Sequence, residues 1–115
     1  MIADTASDIG TAVKQEFQQY NYLITDPTSQ EWDLTIPKDI SSYFRNNAKE
    51  YDTFVYCAGI NNPELIENMP IERVQKTLQV NLLAFYAVLQ YLIPFFKVNG
   101  EHIVVISSLY GTIAR

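Results

Sequence analysis

The side chains that could do chemistry in this sequence stand mostly where short apolar runs end. Asp4, Ser7, Asp8 and Gly10 follow the run Met1 to Ala3, Cys57 and Gly59 close the run Thr53 to Ala58, and Ser107-Ser108 follow IVVI. A loop that leaves a strand, carries Gly10 and enters a helix can present backbone N–H groups to an anion. The lesser alternative is a plain strand-to-helix turn capped by Ser7 or Asp8. Asn81 is polar among the apolar neighbours Val80, Leu82 and Leu83, so if buried it needs a partner. Taken alone, a Ser-Ser pair at a strand end is more often a turn than a catalytic group. A Cys/His nucleophile pair would need Cys57 and His102. These stand at opposite ends of two runs read as parallel strands, about five residues or ~16 Å apart. Cys57 is therefore expected to be a packing residue and His102 a strand-entry residue on the surface.

Composition narrows the partners. With 115 residues, 48% hydrophobic and 18% charged, the chain reads as one folded domain and not as a disordered segment. Its 13 acidic and 8 basic side chains include no basic cluster, which argues against nucleic acid. One Cys excludes an intrachain disulfide and makes a reducing, cytoplasmic setting the default expectation, and one His excludes a Cys/His zinc site, so no metal is expected. Met1 to Gly10 does not read as a signal peptide. Leu82 to Phe96 is shorter than a bilayer span needs and carries Pro94, so a buried helix and no membrane partner are expected.

The elements alternate between β-type and helical patterns, the form of a parallel sheet covered on both faces. Met1 to Ala3 reads as the end of a strand. A helix follows with Ile9, Val13, Phe17 and Tyr20 on one face, closed by Asn21. Tyr22 to Thr25 reads as a second strand ended by Asp26-Pro27, and Glu31 to Thr35 as a short third. Pro37 opens a helix with Ile40, Tyr43, Phe44 and Ala48 inward. Thr53 to Ala58 reads as a central strand, Pro70 to about Phe96 as a long helix covered on two sides and stopped by Asn99-Gly100, and His102 to Ser107 as a last, fully buried strand.

In this order and spacing, several segments resemble the short-chain dehydrogenase/reductase family. Ala3-Asp4-Thr5-Ala6-Ser7-Asp8-Ile9-Gly10 resembles its TGxxxGxG phosphate loop, Asp33-Leu34-Thr35 its Asp-Val-Thr segment, and Tyr56-Cys57-Ala58-Gly59 its Asn-Asn-Ala-Gly strand end. Val80-Asn81-Leu82-Leu83 is similar to its helix motif around Asn, and Gly100 to Ser108 to its Gly-x-Ile-Val-x-x-Ser-Ser strand. The resemblance implies a single α/β domain over 1–115, a Rossmann-type doubly wound parallel sheet with about five strands. It implies a nicotinamide dinucleotide held by Ser7, Asp8, Ile9, Gly10, Asp26, Asp33, Leu34, Ala58 and Gly59. Asp33 would hold the adenine amino group, and Ala58 and Gly59 would let the ribose lie on bare backbone. Asp26 stands where a carboxylate accepts hydrogen bonds from the adenosine ribose and repels a 2′-phosphate, favouring NAD over NADP. An ordinary Asp-Pro turn explains it equally well. Two family glycines are replaced by Asp4 and Asp8, whose side chains and charge are expected to impair dinucleotide binding.

In the family the second Ser holds the substrate carbonyl oxygen and the Asn supports a water-linked proton relay, so Ser108 and Asn81 are the catalytic candidates. The family's acid/base Tyr and its Lys fall beyond Arg115. Tyr110 does not replace them, since Ala114 stands four residues later and no Lys follows Lys97. The chain reads best as part of a longer oxidoreductase acting on a carbonyl/alcohol pair, and otherwise as a truncated relative. The alternative is a catalytically inactive module that self-associates through the helix over residues 70–96, a homo-oligomer in either case. A phospho-acceptor receiver domain would use Asp4 and Asp8 but needs an Asp ending its third strand and a Lys ending its last, and neither is present.

Overall fold

The computed structural model describes residues 1–60, 65–96 and 102–106. Strands β1 (Ile2–Ala3), β2 (Thr53–Tyr56) and β3 (His102–Val105) form a parallel sheet in the order β1-β2-β3. Helices α1 (Asp8–Gln19) and α2 (Pro37–Asn46) lie between β1 and β2 in sequence. Between β2 and β3 come α3 (Ile71–Leu78), a π-helical turn over Gln79–Leu83, α4 (Ala84–Leu92) and a 3₁₀ turn at Ile93–Phe95.

Alternation along β1 decides what lies on each side. The carbonyls of Met1 and Ala3 accept from the N–H groups of Val55 and Cys57, while the Ile2 N–H turns the other way and donates to the Thr25 carbonyl. The faces alternate too. Ile2 and Val55 look toward Phe17 of α1. Met1, Ala3, Phe54 and Tyr56 join the main core with α2 and α4. From α2 that core takes Ile40, Tyr43 and Phe44, and from α4 it takes Ala84, Val88 and Leu92, whose fourfold spacing makes one inward stripe. Trp32 closes it, its ring 4.9 Å from that of Tyr43 and 5.9 Å from that of Phe44.

The sheet has three strands among the described residues, where about five were expected. Tyr22 to Thr25 runs beside β1 but joins it by the single Ile2-to-Thr25 bond, and Leu23 is fully exposed. Glu31 to Thr35 is a set of turns because local acceptors take its backbone donors. The Glu31 and Trp32 N–H groups go to the Thr28 carbonyl, that of Asp33 to the Asp39 carboxylate, and that of Thr35 to the Asp33 side chain. Ala48 is exposed and lies beyond α2, which stops at Asn46, and the Asn47 side chain donates to the Tyr43 carbonyl. On α1, Val13 and Phe17 are half-buried, but Ile9 and Tyr20 are exposed, because Gly10 brings the helix start down onto the sheet and Tyr20 is already its C-cap.

The long helix is interrupted and covered on one side only. The Ala84 N–H donates five residues back, to the Gln79 carbonyl, which widens the turn around Asn81. Leu82, Leu83 and Tyr86 are 58%, 54% and 64% exposed. The whole helical stretch Ile71–Phe95 has the length and composition of a membrane span, yet its inward stripe is committed to the core. His102–Val105 is exposed along its length, since β2 is its sole strand neighbour among the described residues. Asn99-Gly100 and Ser107 lie outside the described residues. We predict that Leu92→Ala costs about 3 kcal/mol and Leu82→Ala under about 0.5 kcal/mol in urea unfolding of the full-length protein, because only Leu92 leaves a cavity.

Candidate functional site

A cleft of about 390 Å³ opens at the carboxyl ends of β1 and β2. Its walls come from Asp4 to Ala6, from Pro27 to Ser29, from Trp32 to Thr35, from Ala58 to Ile60 and from Val80. Asp33, Leu34, Ala58 and Gly59 were anticipated and meet here. Ser7, Asp8, Ile9, Gly10 and Asp26 do not line it. Ser108 lies outside the described residues. Thr5, Thr28, Ser29, Thr35, Ile60 and Val80 were missed, although hydroxyl residues following a strand end were a usable signal.

The β1-to-α1 loop is closed by the absence of a side chain. A Cβ on Gly10 would lie 1.9 Å from the Asp4 carbonyl oxygen. Asp4 has a positive φ of 67°, a left-handed conformation that aspartate tolerates better than most residues. Its Oδ1 accepts the Ala6 N–H at 3.2 Å. Ser7 caps α1, its Oγ accepting the Gly10 N–H at 3.1 Å. Asp8 is exposed in the first turn, where a carboxylate suits the helix dipole but opposes any incoming anion.

Asp26 is already engaged. Its Oδ2 accepts from Thr5 Oγ1 at 2.9 Å and from Lys14 Nζ at 2.8 Å. Burial favours the neutral acid, but hydrogen bonds from Lys14 and Thr5, with the Lys14 charge, outweigh it and hold the carboxyl below its ordinary value. Asp33 is held below its ordinary value by hydrogen bonds from the Thr35 hydroxyl and N–H, with a further contribution from the Lys76 charge.

Asn81 does not line the cleft but stands behind its far wall, where its side chain accepts the Ile60 N–H at 2.7 Å and donates to the Ile60 carbonyl at 2.9 Å. Asn81 thus ties the π turn to the loop after β2. The Tyr56 hydroxyl donates to the Val80 carbonyl, and burial, with the nearby Asp4 charge, keeps that phenol protonated well beyond the usual range. Among the described residues, a Cβ on Gly59 would meet nothing closer than Asn81 Oδ1 at 3.5 Å. Glycine is not demanded there by local packing and leaves open floor in the cleft. Cys57 is half-buried, and burial followed by the Asp4 charge pushes its thiol up, so it is no thiolate nucleophile at neutral pH. β3 pairs His102 with Thr53, four residues before Cys57, which keeps the two apart. Among the described residues no group of three His, Cys, Asp or Glu side chains could hold a metal ion.

Two outcomes follow. Gly10→Ala should destabilise the protein by about 3 kcal/mol in chemical unfolding, since backbone rather than a flexible side chain must move. Because both carboxyls are depressed in the folded state, the stability from Asp26 and Asp33 is present at neutral pH and lost as pH falls below about 4. An Asp26→Asn, Asp33→Asn double variant should show a shallower acid limb in thermal melts than the parent.

The family model described as short chain dehydrogenase matches residues 2–115. No curated protein matches the chain. Among solved structures, a short chain dehydrogenase family protein from Francisella tularensis subsp. tularensis SCHU S4 superposes with a TM-score of 0.83 at 23% identity, over 99% of this chain and 52% of that one. Aldohexose dehydrogenase from Thermoplasma acidophilum, in ligand-free form, gives 0.81 at 24% identity over 93% and 48%. A small-chain dehydrogenase in complex with NADPH gives 0.84 at 14% identity over 99% and 52%. The chain spans about half the length of these three structures. At such identities the structural likeness carries the fold, and the family match over residues 2–115 carries the assignment: the chain belongs to the short-chain dehydrogenase family.

Proposed function

We propose that the cleft binds the adenosine and pyrophosphate of a nicotinamide dinucleotide, and that the full-length protein is an oxidoreductase acting on a carbonyl/alcohol pair. The observation that carries this reading is the convergence of Asp4 to Ala6, Asp33 to Thr35 and Ala58 to Ile60 on one cleft beside the start of α1. Such a crevice outside the carboxyl ends of parallel strands is where this architecture takes its ligands.

The residues present fit the adenosine end well. The Asp33 carboxylate, kept ionised by Thr35, can accept an adenine amino hydrogen, and the bare backbone at Gly59 leaves room for a ribose. They fit the pyrophosphate less tightly. Asp4 consumes the Ala6 N–H, and the Asp4 and Asp8 carboxylates oppose a dianion. Asp26 behind Thr5 repels a 2′-phosphate, which favours NAD over NADP. A bound dinucleotide supplies hydride transfer. Ser108 is assigned to the substrate oxygen and Asn81 to holding the far wall beside a proton relay. The prediction is that NADH titrated into the full-length protein produces energy transfer from Trp32 to the bound cofactor, and that Asp4→Gly tightens binding about tenfold by removing one like charge. No NADH binding by either protein contradicts the assignment.

The exposed apolar side of the interrupted helix favours self-association as a second property. Leu78, Leu82, Leu83 and Tyr86 lie at or above half exposure on α3, the π turn and α4. A Leu83→Glu, Tyr86→Glu variant is expected to sediment as a monomer where the parent sediments as an oligomer.

A further inference from the structure

The helical stretch beside the cleft departs from α geometry at one turn. In a regular α-helix the Ala84 N–H would donate to the Val80 carbonyl, four residues back. It donates to the Gln79 carbonyl instead, and the Val80 carbonyl takes the hydroxyl of Tyr56, the last residue of β2. The exchange leaves neither group unpaired, which matters because Val80 and Ala84 are buried and a buried carbonyl without a donor is costly. The hydroxyl is well aimed, since the buried Tyr56 ring packs at 5.3 Å on Phe85 and at 6.0 Å on Phe54. Burial also keeps the phenol protonated well beyond the neutral range, so it remains a donor.

Ala84, Val88 and Leu92 are committed to the core, so a change of winding at this turn falls on the residues before Ala84. Those include Gln79, whose amide donates to the Leu34 carbonyl, and Asn81, which clasps the Ile60 backbone. Leu34, Ile60 and Val80 all line the cleft. We propose that Tyr56 is a positioning residue: its hydroxyl takes the Val80 carbonyl out of the helical ladder and so holds the π turn from which Gln79 and Asn81 fix the Leu34 and Ile60 walls. Without the hydroxyl, the Ala84 N–H returns to Val80, the turn tightens and Asn81 rotates off Ile60. What the walls hold rests on the dinucleotide reading above, and how they are held does not.

The test compares the full-length parent with two variants. Tyr56→Phe keeps the ring and removes only the donor, and Asn81→Ala breaks the clasp with Tyr56 in place. Scalar couplings across hydrogen bonds, read by NMR, identify the acceptor of the Ala84 N–H. It should be Gln79 in the parent and in Asn81→Ala, and Val80 in Tyr56→Phe. The Ile60 amide should exchange about tenfold faster in Tyr56→Phe than in the parent, while the Val55 and Cys57 amides, bonded to Met1 and Ala3, stay within about twofold. NADH, followed by energy transfer from Trp32, should bind Tyr56→Phe about fivefold more weakly. An Ala84 coupling that stays with Gln79 in Tyr56→Phe, or moves to Val80 in Asn81→Ala, overturns the role of Tyr56 in the turn. An unchanged Ile60 rate or NADH affinity in Tyr56→Phe overturns its link to the cleft. A parent that binds no NADH overturns the dinucleotide reading, and the Ala84 and Ile60 readouts still decide the role of Tyr56.

Discussion

At the start of α1 there is no room for a side chain between Gly10 and the Asp4 carbonyl, and the upper edge of the molecule is organised around that close approach. Because the helix starts directly over the end of β1, the chain must reverse within Asp4 to Ser7, which places Asp4 in the left-handed region. The reversal brings the Thr5 carbonyl to the Thr11 hydroxyl at 2.8 Å and aims the Thr5 hydroxyl at Asp26. Asp26 in turn is fixed beside β1 by the extended segment whose Thr25 carbonyl receives the Ile2 N–H. Loop, helix start and the Asp26–Lys14 pair are thus one mechanical unit. Each of its hydrogen bonds is modest alone, about 1 kcal/mol, and the pair itself is partly solvated and worth under about 1 kcal/mol. Position, more than energy, is what the unit provides.

The opposite wall is held by different means. The π turn that contains Asn81 is anchored to two of the other cleft segments and to β2. Gln79 Nε2 donates to the Leu34 carbonyl at 3.2 Å, Tyr56 donates to Val80, and Asn81 clasps Ile60 from both sides. A regular α-helix carrying the same residues would present a different set of carbonyls and side chains to the strand ends. The aromatic core underneath, with Phe85 stacked at 6.1 Å on Phe54 and leaning on Tyr56 at 5.3 Å, fixes the height of that turn above the sheet. The cleft is therefore held by aromatic packing and side-chain anchors on the side of the helix and by loop hydrogen bonds on the side of α1.

Much of this was legible in the sequence where periodicity and burial agree. The inward residues Ile40, Tyr43 and Phe44 followed from helical spacing, β2 from its apolar run, and Gly10 from its place at a strand-to-helix turn. The failures have a common cause. Glu31 to Thr35 carries β-type residues, but Asp33, Asp39 and Thr28 satisfy its backbone locally, and no pattern of apolar residues reveals that competition. The apolar character of Ile103 to Val105 promised a buried strand, whereas burial depends on neighbours that a single strand cannot report. In the site, Asp33, Leu34, Ala58 and Gly59 came from motif resemblance and reach the cleft. Thr5, at a variable position of the phosphate-loop segment, and Lys14, outside every motif, hold Asp26, and that contact emerges only when the start of α1 and the Asp26 turn are placed side by side.

The central claim is that the loop after β1, the turns around Asp33 and the strand end at Ala58 and Gly59 form one dinucleotide surface. Amide hydrogen exchange of the full-length protein, with and without saturating NADH, addresses it most directly. The account predicts slowed exchange at residues 4–10, 26–35 and 58–60, with α2 unchanged. Unchanged exchange at those three segments, or slowing of α2 equal to theirs, at saturating NADH would contradict it.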